Sequence, residues 1–261
     1  MPKRPKLLIE ERRRAILDAV DTTGRVKVEE LSKRFGVSSV TVREDLEALS
    51  AKGALVRSYG GAIPALNPLQ DYAPNYKKKV HHAEKIRIAE AAARLVMPNQ
   101  TVILDSGTTT TELAGQLKKS APQGLTVITH SLDIAACLED ATQISVIMIG
   151  GLLRHISHSF VGPQAERALQ DLYADHFFLA VDGVDLETGL STPDILEAQL
   201  NARMIGISRA TTVIADASKF GRRSVSVIGA LECVQRVITD GRLSKERVGQ
   251  IRKRGIEVVL V

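Results

Sequence analysis

The chain has 261 residues, 44% of them hydrophobic, with five Phe, four Tyr and no Trp, so it can bury a mainly aliphatic core in two domains or one large one. No apolar stretch approaches the ~18 residues that a membrane span needs. The basic start at residues 3–6 is followed by an apolar run that is too short for a secretory signal. We therefore expect a cytoplasmic protein without a membrane partner.

The net charge of +5 is concentrated at the N-terminus, where residues 1–62 contain thirteen Lys and Arg against nine Asp and Glu. Such asymmetry indicates an anion-binding module. Cys137 and Cys233 lack the spacing of metal ligands and are expected to be buried thiols, and the pair at residues 81–82 is a poor metal site. Neither a P-loop nor a GxGxxG motif is present, so we expect no metal and no cofactor.

Apolar periodicity predicts three helices in the first sixty residues, over 7–22, 28–35 and 39–52. Gly36 permits the positive φ of a tight turn before the third helix, and Ser38 is suited to be its N-cap. Val42, Leu46 and Leu49 follow one another at helical spacing and are expected to face inward. This is the helix-turn-helix arrangement, whose second helix, here the third of the chain, enters the major groove of DNA.

Polar and basic side chains around this helix are predicted to contact DNA. Ser39 and Arg43 are expected to read bases. Residues 55–63 are predicted to form a hairpin wing, and Arg25, Arg57 and Tyr59 are expected to hold phosphates. The full set of predicted DNA contacts is Arg25, Ser38, Ser39, Thr41, Arg43, Arg57 and Tyr59.

Two acidic residues share the predicted recognition helix. Asp45 is expected to pair inside the domain, whereas Glu44 could accept from a cytosine amino group or simply face solvent. A small helical bundle that binds other proteins is the alternative interpretation. The basic surplus, the polar helix face and the wing together favour double-stranded DNA as the partner.

The proline-containing residues 64–80 are predicted to be a linker between a DNA-binding domain over 1–63 and a second domain over 81–261. In the second domain, Val- and Ile-rich strands are predicted at 101–105, 125–129, 144–149, 177–182, 211–216, 234–239 and 256–261. Helices are predicted between most of them, at 84–96, 110–119, 132–139, 163–171 and 194–208. This alternation is typical of an α/β domain with a largely parallel sheet.

Ligands of open α/β sheets bind at the carboxyl ends of the strands, beside helix N-termini. The strongest candidate is the segment 105–110, where backbone N–H groups and hydroxyls could cradle a phosphate. Asp182, Asp216 and Lys219 follow two other strands, and Lys85 is a second candidate cation. The predicted effector-binding residues are Asp105, Ser106, Gly107, Thr108, Thr109, Thr110, Asp182, Asp216, Lys219 and Lys85.

Ordered motifs along the whole chain resemble those of the DeoR family of bacterial regulators. They are residues 37–38, 41–46 and 57–62 in the first domain, and 105–109, 150–151, 182–185, 216–221 and 238–240 in the second. The resemblance implies a sensor domain similar to ribose-5-phosphate isomerase, a sugar-phosphate effector, a homo-oligomer and, usually, repression. Residues 157–162, 164–166 and 184–192 look most like the N-acetylgalactosamine-pathway repressor branch. The stretch 193–197 departs from that branch and leaves open which amino-sugar or ketose phosphate is the effector.

Two other functions are compatible with the same residues. One is a sugar-phosphate isomerase fused to a DNA-binding domain, with Asp105 or Asp182 as the carboxylate base. The other is a scaffold that binds protein partners without DNA. The expected function is a repressor of a sugar or amino-sugar catabolic operon, without enzymatic activity, that leaves its operator when a phosphorylated sugar binds.

Overall fold

The computed structural model describes residues 8–23, 25–51, 54–64, 77–78 and 80–261, which divide into two compact units. Among them, residues up to 64 together with 77, 78 and 80 form the first unit, and residues 81–261 form the second. Most of the predicted linker lies outside the described residues. None of the helices in the described part of the chain has the length and apolar surface of a membrane span.

The first unit packs three helices against a three-stranded antiparallel sheet. The helices are α1 (Ile9–Thr23), α2 (Val28–Phe35) and α3 (Ser39–Ala51), and the strands are β1 (Val26–Lys27), β2 (Leu55–Ser58) and β3 (Gly61–Pro64), in the order β1-β3-β2. The predicted helices and the wing are confirmed. The turn before α3 forms because Gly36 adopts φ 63°, and Ser38 Oγ then accepts the Thr41 N–H at 3.1 Å.

Apolar side chains from all three helices close the core of this unit. Ile16 of α1, Leu31 of α2, and Val42 and Leu46 of α3 are each at most 2% exposed. A buried ion pair fastens α1 to α3 beside this core. Asp45 accepts hydrogen bonds from Arg12 Nε at 2.5 Å and from Arg13 Nε at 2.9 Å. Asp45 thus pairs internally, as the sequence predicted.

The second unit is built on a seven-stranded parallel sheet in the order β15-β14-β12-β9-β4-β5-β6. Its strands are β4 (Thr101–Leu104), β5 (Thr126–Thr129), β6 (Ser145–Met148), β9 (His176–Leu179), β12 (Thr211–Ile214), β14 (Arg236–Thr239) and β15 (Glu257–Leu260). Each corresponds to a predicted strand, so the expected fold class is confirmed. The order places β4, the first of these strands in the chain, beside β9, where the winding direction reverses.

Helices cover both faces of this sheet. They are α4 (His82–Ala93), α5 (Thr108–Ser120), α6 (Leu132–Leu138), α7 (Pro163–Ala168), α8 (Ile195–Gly206) and α9 (Lys245–Arg252). An apolar cluster lies on each face of the sheet, and successive side chains of β4 point into alternate clusters. Val102 and Leu104 pack in the cluster with α4, α5 and α6, whereas Ile103 packs in the cluster with α7, α8 and α9. Burial on both faces explains the almost continuous apolar strands of the sequence.

Two smaller sheets and one helix were not predicted. β7 (Leu152–Arg154) and β8 (Ser159–Val161) form a hairpin, and β10 (Gly183–Asp185), β11 (Gly189–Thr192) and β13 (Ser226–Gly229) form an antiparallel sheet. These strands are short and contain Gly and polar residues, so they lack the apolar runs by which the strands of the parallel sheet were predicted. Helix α9 was missed because its segment is mostly charged and polar.

We expect Asp45→Ala to destabilise the first unit by about 3–5 kcal/mol, because Arg12 would be left buried without its counter-charge. Glu47→Ala is the matched control. It removes the exposed ion pair with Arg57 and should cost at most about 1 kcal/mol. Urea-dependent amide exchange, read by mass spectrometry on peptides from residues 9–64, measures both. Equal losses in the two variants would contradict the assignment of Asp45 as an anchor.

The buried His176 should make the free energy of unfolding depend on pH. Its ring is 8% exposed, stacks on Phe178 and contacts Thr212 Oγ1 at 2.7 Å. Burial, reinforced by Arg236 and Arg209, lowers the pKa of His176 from 6.5 to about 4. Because only the unfolded chain binds this proton between those values, the free energy of unfolding should fall as the pH drops from about 6.5 to about 4, by up to about 3 kcal/mol.

Denaturant unfolding of the full chain at several pH values between about 7 and about 4 measures this dependence. In His176→Gln the slope over this interval should be smaller, since glutamine does not titrate. An unchanged slope would show that another group carries the dependence.

Candidate functional site

The N-terminal end of α3 presents the predicted base-reading residues to solvent. Arg43 is exposed, and Ser39 and Thr41 are half-buried at the start of the helix. The Ser38 and Thr41 hydroxyls lie 2.9 Å apart, so both help to cap α3. Glu44 is exposed beside Arg43. The surface that carries these residues is polar and open, as a helix that enters a groove requires.

The wing lies next to this surface. Gly60 turns the hairpin with φ 72°, and Tyr59 before it is fully exposed. Arg57 Nη1 pairs with Glu47 Oε2 of α3 at 2.6 Å and reaches the carbonyl oxygen of Arg43 at 3.4 Å. Arg25 is also exposed. The fold therefore brings the basic wing to the same part of the first unit as the recognition helix.

In the second unit, five neighbouring strands end in polar residues on one edge of the sheet. Asp240 follows β14, Asp216 follows β12, Asp182 follows β9, Asp105 follows β4 and His130 follows β5. Parallel strands place all their carboxyl ends on the same edge, so residues up to 135 positions apart become neighbours. The reversal of winding between β4 and β9 lies within this row, where doubly wound folds bind ligands.

Asp105 holds the loop after β4 in place. Its carboxylate is fully buried and accepts the Ser106 N–H at 2.7 Å and the Ala180 N–H at 3.1 Å, and it faces His130 Nε2 at 3.0 Å. Gly107 is required here because a Cβ would come within 2.6 Å of the Ala180 side chain. The loop is therefore fixed tightly against the end of β9.

The start of α5 offers hydrogen-bond donors. Gly107 is the N-cap and supplies no side-chain cap, so the first N–H groups of the helix, at Thr108, Thr109 and Thr110, have no partner within the helix. The Thr110 hydroxyl donates to the Gly107 carbonyl oxygen at 2.8 Å, and therefore serves the loop itself. The buried Ser106 hydroxyl has no hydrogen-bond partner in the part of the chain that the structure describes.

The cations at this edge are paired with carboxylates. Lys219 Nζ donates to Asp182 Oδ1 at 2.9 Å, and both side chains are more than four-fifths buried. Asp216 accepts the Ser218 N–H at 3.0 Å and lies near Lys85, which is 4% exposed. Burial alone would raise the pKa of Asp216, but Lys219, His81, the Ser218 N–H and Lys85 outweigh it and lower the pKa.

A second acid and two basic groups complete this end of the row. Asp240 accepts hydrogen bonds from Arg242 Nε at 2.6 Å and from the Ala217 N–H at 2.7 Å. These contacts outweigh its burial and lower the pKa of Asp240 to about 2. Arg242 Nη1 lies 2.9 Å from His81 Nδ1, and burial lowers the pKa of that histidine. The Thr239 and Ser218 hydroxyls are also buried and have no hydrogen-bond partner among the described residues.

Sequence reasoning missed His130, Asp240, Arg242 and His81 as members of the site. The first two directly follow predicted strands, so the strand-end rule could have found them. Arg242 and His81 reach the site through loop geometry, for which the sequence carries no signal. The predicted residues Asp105, Asp182, Asp216, Lys85 and Lys219 do lie together along this edge, with the loop at 106–110.

This combination of a winged helix-turn-helix unit and an α/β unit with a polar strand-end site defines a DNA-binding regulator with a sensor domain. The model of the DeoR-like helix-turn-helix domain matches residues 12–65, and the model of the DeoR C-terminal sensor domain matches residues 80–241. The chain belongs to the DeoR family.

Relatives of known name cover nearly the whole chain. A protein of Escherichia coli O157:H7, provisionally named as an aga operon transcriptional repressor, is 39% identical over 96% of this chain and 93% of its own. The transcriptional regulator GlpR of Haloferax volcanii is 33% identical over 97% and 98%, and the regulator IolR of Bacillus subtilis is 30% identical over 85% and 88%.

Solved structures resemble parts of the chain more weakly. Ribose 5-phosphate isomerase A of Methanocaldococcus jannaschii matches 54% of this chain and 55% of its own, with 16% identity and a TM-score of 0.39. The translation initiation factor eIF-2B of Pyrococcus horikoshii OT3 matches 84% and 76%, with 16% identity and a TM-score of 0.43.

Proposed function

We propose that this protein represses a sugar or amino-sugar catabolic operon and leaves its operator when a phosphorylated sugar binds the second unit. The observation that carries the proposal is the row of strand-end carboxylates and lysines beside the free N–H groups of α5. Carboxylates accept from sugar hydroxyls, whereas a helix N-terminus and a cation attract a phosphate. Both kinds of group therefore occur along one edge, as a sugar phosphate requires.

The phosphate is proposed to bind the loop at 106–110. It carries nearly two negative charges at neutral pH, so it needs several donors and a cation. The N–H groups of Thr108–Thr110 and the Ser106 hydroxyl provide donors, and Lys219 provides the charge, with Lys85 as a second cation. Because Lys219 is paired with Asp182, the phosphate has to draw the lysine away from that carboxylate.

The sugar is proposed to lie over Asp182 and Asp216. When Lys219 turns to the phosphate, Asp182 becomes available to accept from a hydroxyl group of the same ligand. Asp105 is proposed to position the loop, since its carboxylate already receives two backbone N–H groups and contacts His130. These contacts keep Asp105 from acting as the base that an isomerase needs. The relatives named above are transcriptional regulators, which also favours a sensor without enzymatic activity.

Repression and release then follow from differential binding. The effector has to bind the DNA-incompetent state more tightly, because equal affinity for both states shifts nothing. A coupling of about 1–3 kcal/mol is usual for such regulators. We also infer a dimer or tetramer assembled mainly through the second unit, since helix-turn-helix proteins generally read two half-sites. Light scattering at micromolar concentration tests this, and a monomer would contradict it.

Arg43→Ala should lose about 1–3 kcal/mol of operator affinity and relax the preference at one base position, because it removes a direct contact to a base edge. Arg57→Ala should weaken all DNA sequences alike and reduce the salt slope by about one unit. Gel-shift titrations against the upstream region of the protein's own gene, and against single-base variants of it, measure both effects. Wild-type discrimination by Arg43→Ala would remove Arg43 from base reading.

Lys219→Ala should keep its operator affinity but require about 10- to 100-fold more effector for release, since a charge-assisted contact to phosphate is lost. The exposed Lys245→Ala is the matched control and should behave as wild type. Both are tested by titrating the operator-bound protein with amino-sugar and ketose phosphates. Release of Lys219→Ala at wild-type concentrations would exclude the lysine from the site.

A further inference from the structure

His130 connects the loop after β4 with the β7–β8 hairpin. Its Nε2 lies 3.0 Å from Asp105 Oδ1 and 3.1 Å from the Ser106 N–H, and its Nδ1 lies 2.8 Å from the carbonyl oxygen of Phe160 in β8. The main chains run together as well, because the Phe160 N–H donates to the carbonyl oxygen of His130 at 2.9 Å. The imidazole is completely buried, so these contacts replace those with water.

The contacts fix where the protons of this ring lie. The Phe160 carbonyl oxygen can only accept, so Nδ1 carries a hydrogen. One further proton then lies between Nε2 and Asp105, and Nε2 can accept the Ser106 N–H only when that proton is on the carboxyl group. Burial raises the pKa of Asp105. Burial would lower the pKa of His130, but the hydrogen bond and charge of Asp105, with smaller effects from the Phe160 carbonyl and Glu197, raise it. Both shifts favour the proton that the two groups share.

The hairpin is held on its other side by ion pairs to the start of α8. Arg154 of β7 contacts Asp194 at 3.1 Å and Glu197 at 3.3 Å. The hairpin also carries exposed apolar side chains, with Leu152 at 60% and Ile156 at 39% exposure. A shift of His130 would therefore move a segment that displays apolar surface to solvent.

We propose that His130 is a positioning residue that aligns the anion-binding loop and transmits its occupancy to the β7–β8 hairpin. The inference rests on the proposed phosphate site at 106–110. The Nε2 side of the ring fixes the loop through Asp105 and Ser106. The Nδ1 side holds the hairpin through Phe160. One rigid ring thus joins two segments that are more than forty residues apart in the sequence.

Two substitutions separate the two sides of the ring. In His130→Gln the amide reaches the position of Nε2 and preserves the contact to the loop, but the donor to Phe160 is lost. In His130→Asn the amide lies near the position of Nδ1 and preserves the contact to Phe160, but the loop loses its partner. His176→Gln is the matched control, since His176 is also buried but lies at the start of β9, away from the strand ends.

The experiment is amide hydrogen exchange of the full chain with and without inorganic phosphate, read on peptides covering residues 105–111 and 152–161. In wild type and His176→Gln, phosphate should slow exchange in both segments. In His130→Gln only the loop should respond. In His130→Asn about tenfold more phosphate should be needed for any response.

Each outcome separates the two proposals. A hairpin response in His130→Gln, or wild-type phosphate affinity in His130→Asn, would overturn the role of His130 while leaving the phosphate site intact. No loop response in wild type would overturn the phosphate site and this inference with it. If neither variant folds, nitrogen-15 spectra of histidine-labelled wild type decide: a hydrogen on Nδ1 of His130 supports the role, and a bare Nδ1 overturns it.

Discussion

The convergence of parallel strand ends on one edge of the sheet is the constraint on which the proposed sensor depends. Five neighbouring parallel strands deliver a polar residue within three positions of their carboxyl ends to the same edge, so residues 105, 130, 182, 216 and 240 lie along one edge of the sheet. Burial of the sheet on both faces keeps these ends rigid. The direction of winding reverses between β4 and β9, within this row of strand ends, and doubly wound folds bind ligands at such a reversal.

The charges at this edge are balanced within the protein before any ligand binds. Lys219 is neutralised by Asp182, and Arg242 by Asp240. A phosphorylated ligand at the proposed site would therefore exchange partners instead of meeting an unpaired charge. Exchange of this kind repositions side chains on several strand ends at once, which suits a sensor that has to report occupancy to another part of the molecule.

Much of this architecture follows from the sequence. The seven strands of the parallel sheet are predicted from their apolar runs, and the three N-terminal helices from their apolar periodicity. Gly36 and Ser38 predict the turn before α3, because glycine permits a positive φ and serine is a good N-cap. Asp105, Asp182 and Asp216 follow from the strand-end rule. The β7–β8 hairpin, which carries Phe160, could not be predicted from the sequence, because strands of three residues are too short to show a periodic pattern of apolar residues.

The ionic and hydrogen-bond partners of the charged residues at this edge are the feature that is hardest to predict from the sequence. Lys219 and Asp105 are both predicted from the sequence to bind the effector. In the fold, however, Lys219 pairs with Asp182, and Asp105 is buried against His130 and two backbone N–H groups. These contacts join residues that are distant in the sequence. Lys219 and Asp182 are 37 positions apart, and His130 and Asp105 are 25 positions apart. Only the packed structure decides such contacts, because local propensity carries no information about them.

Binding of the sugar phosphate and binding of the operator must be coupled reciprocally if release follows from differential binding. A sugar phosphate that lowers operator affinity by some factor must bind the free protein more tightly than the operator-bound protein by the same factor. Calorimetric titration of the releasing sugar phosphate into free and operator-bound protein measures this ratio. We expect the ratio of the two sugar-phosphate affinities to equal the factor by which operator affinity is lost, on the order of 5- to 150-fold. Equal affinity of the sugar phosphate for the two forms would contradict it.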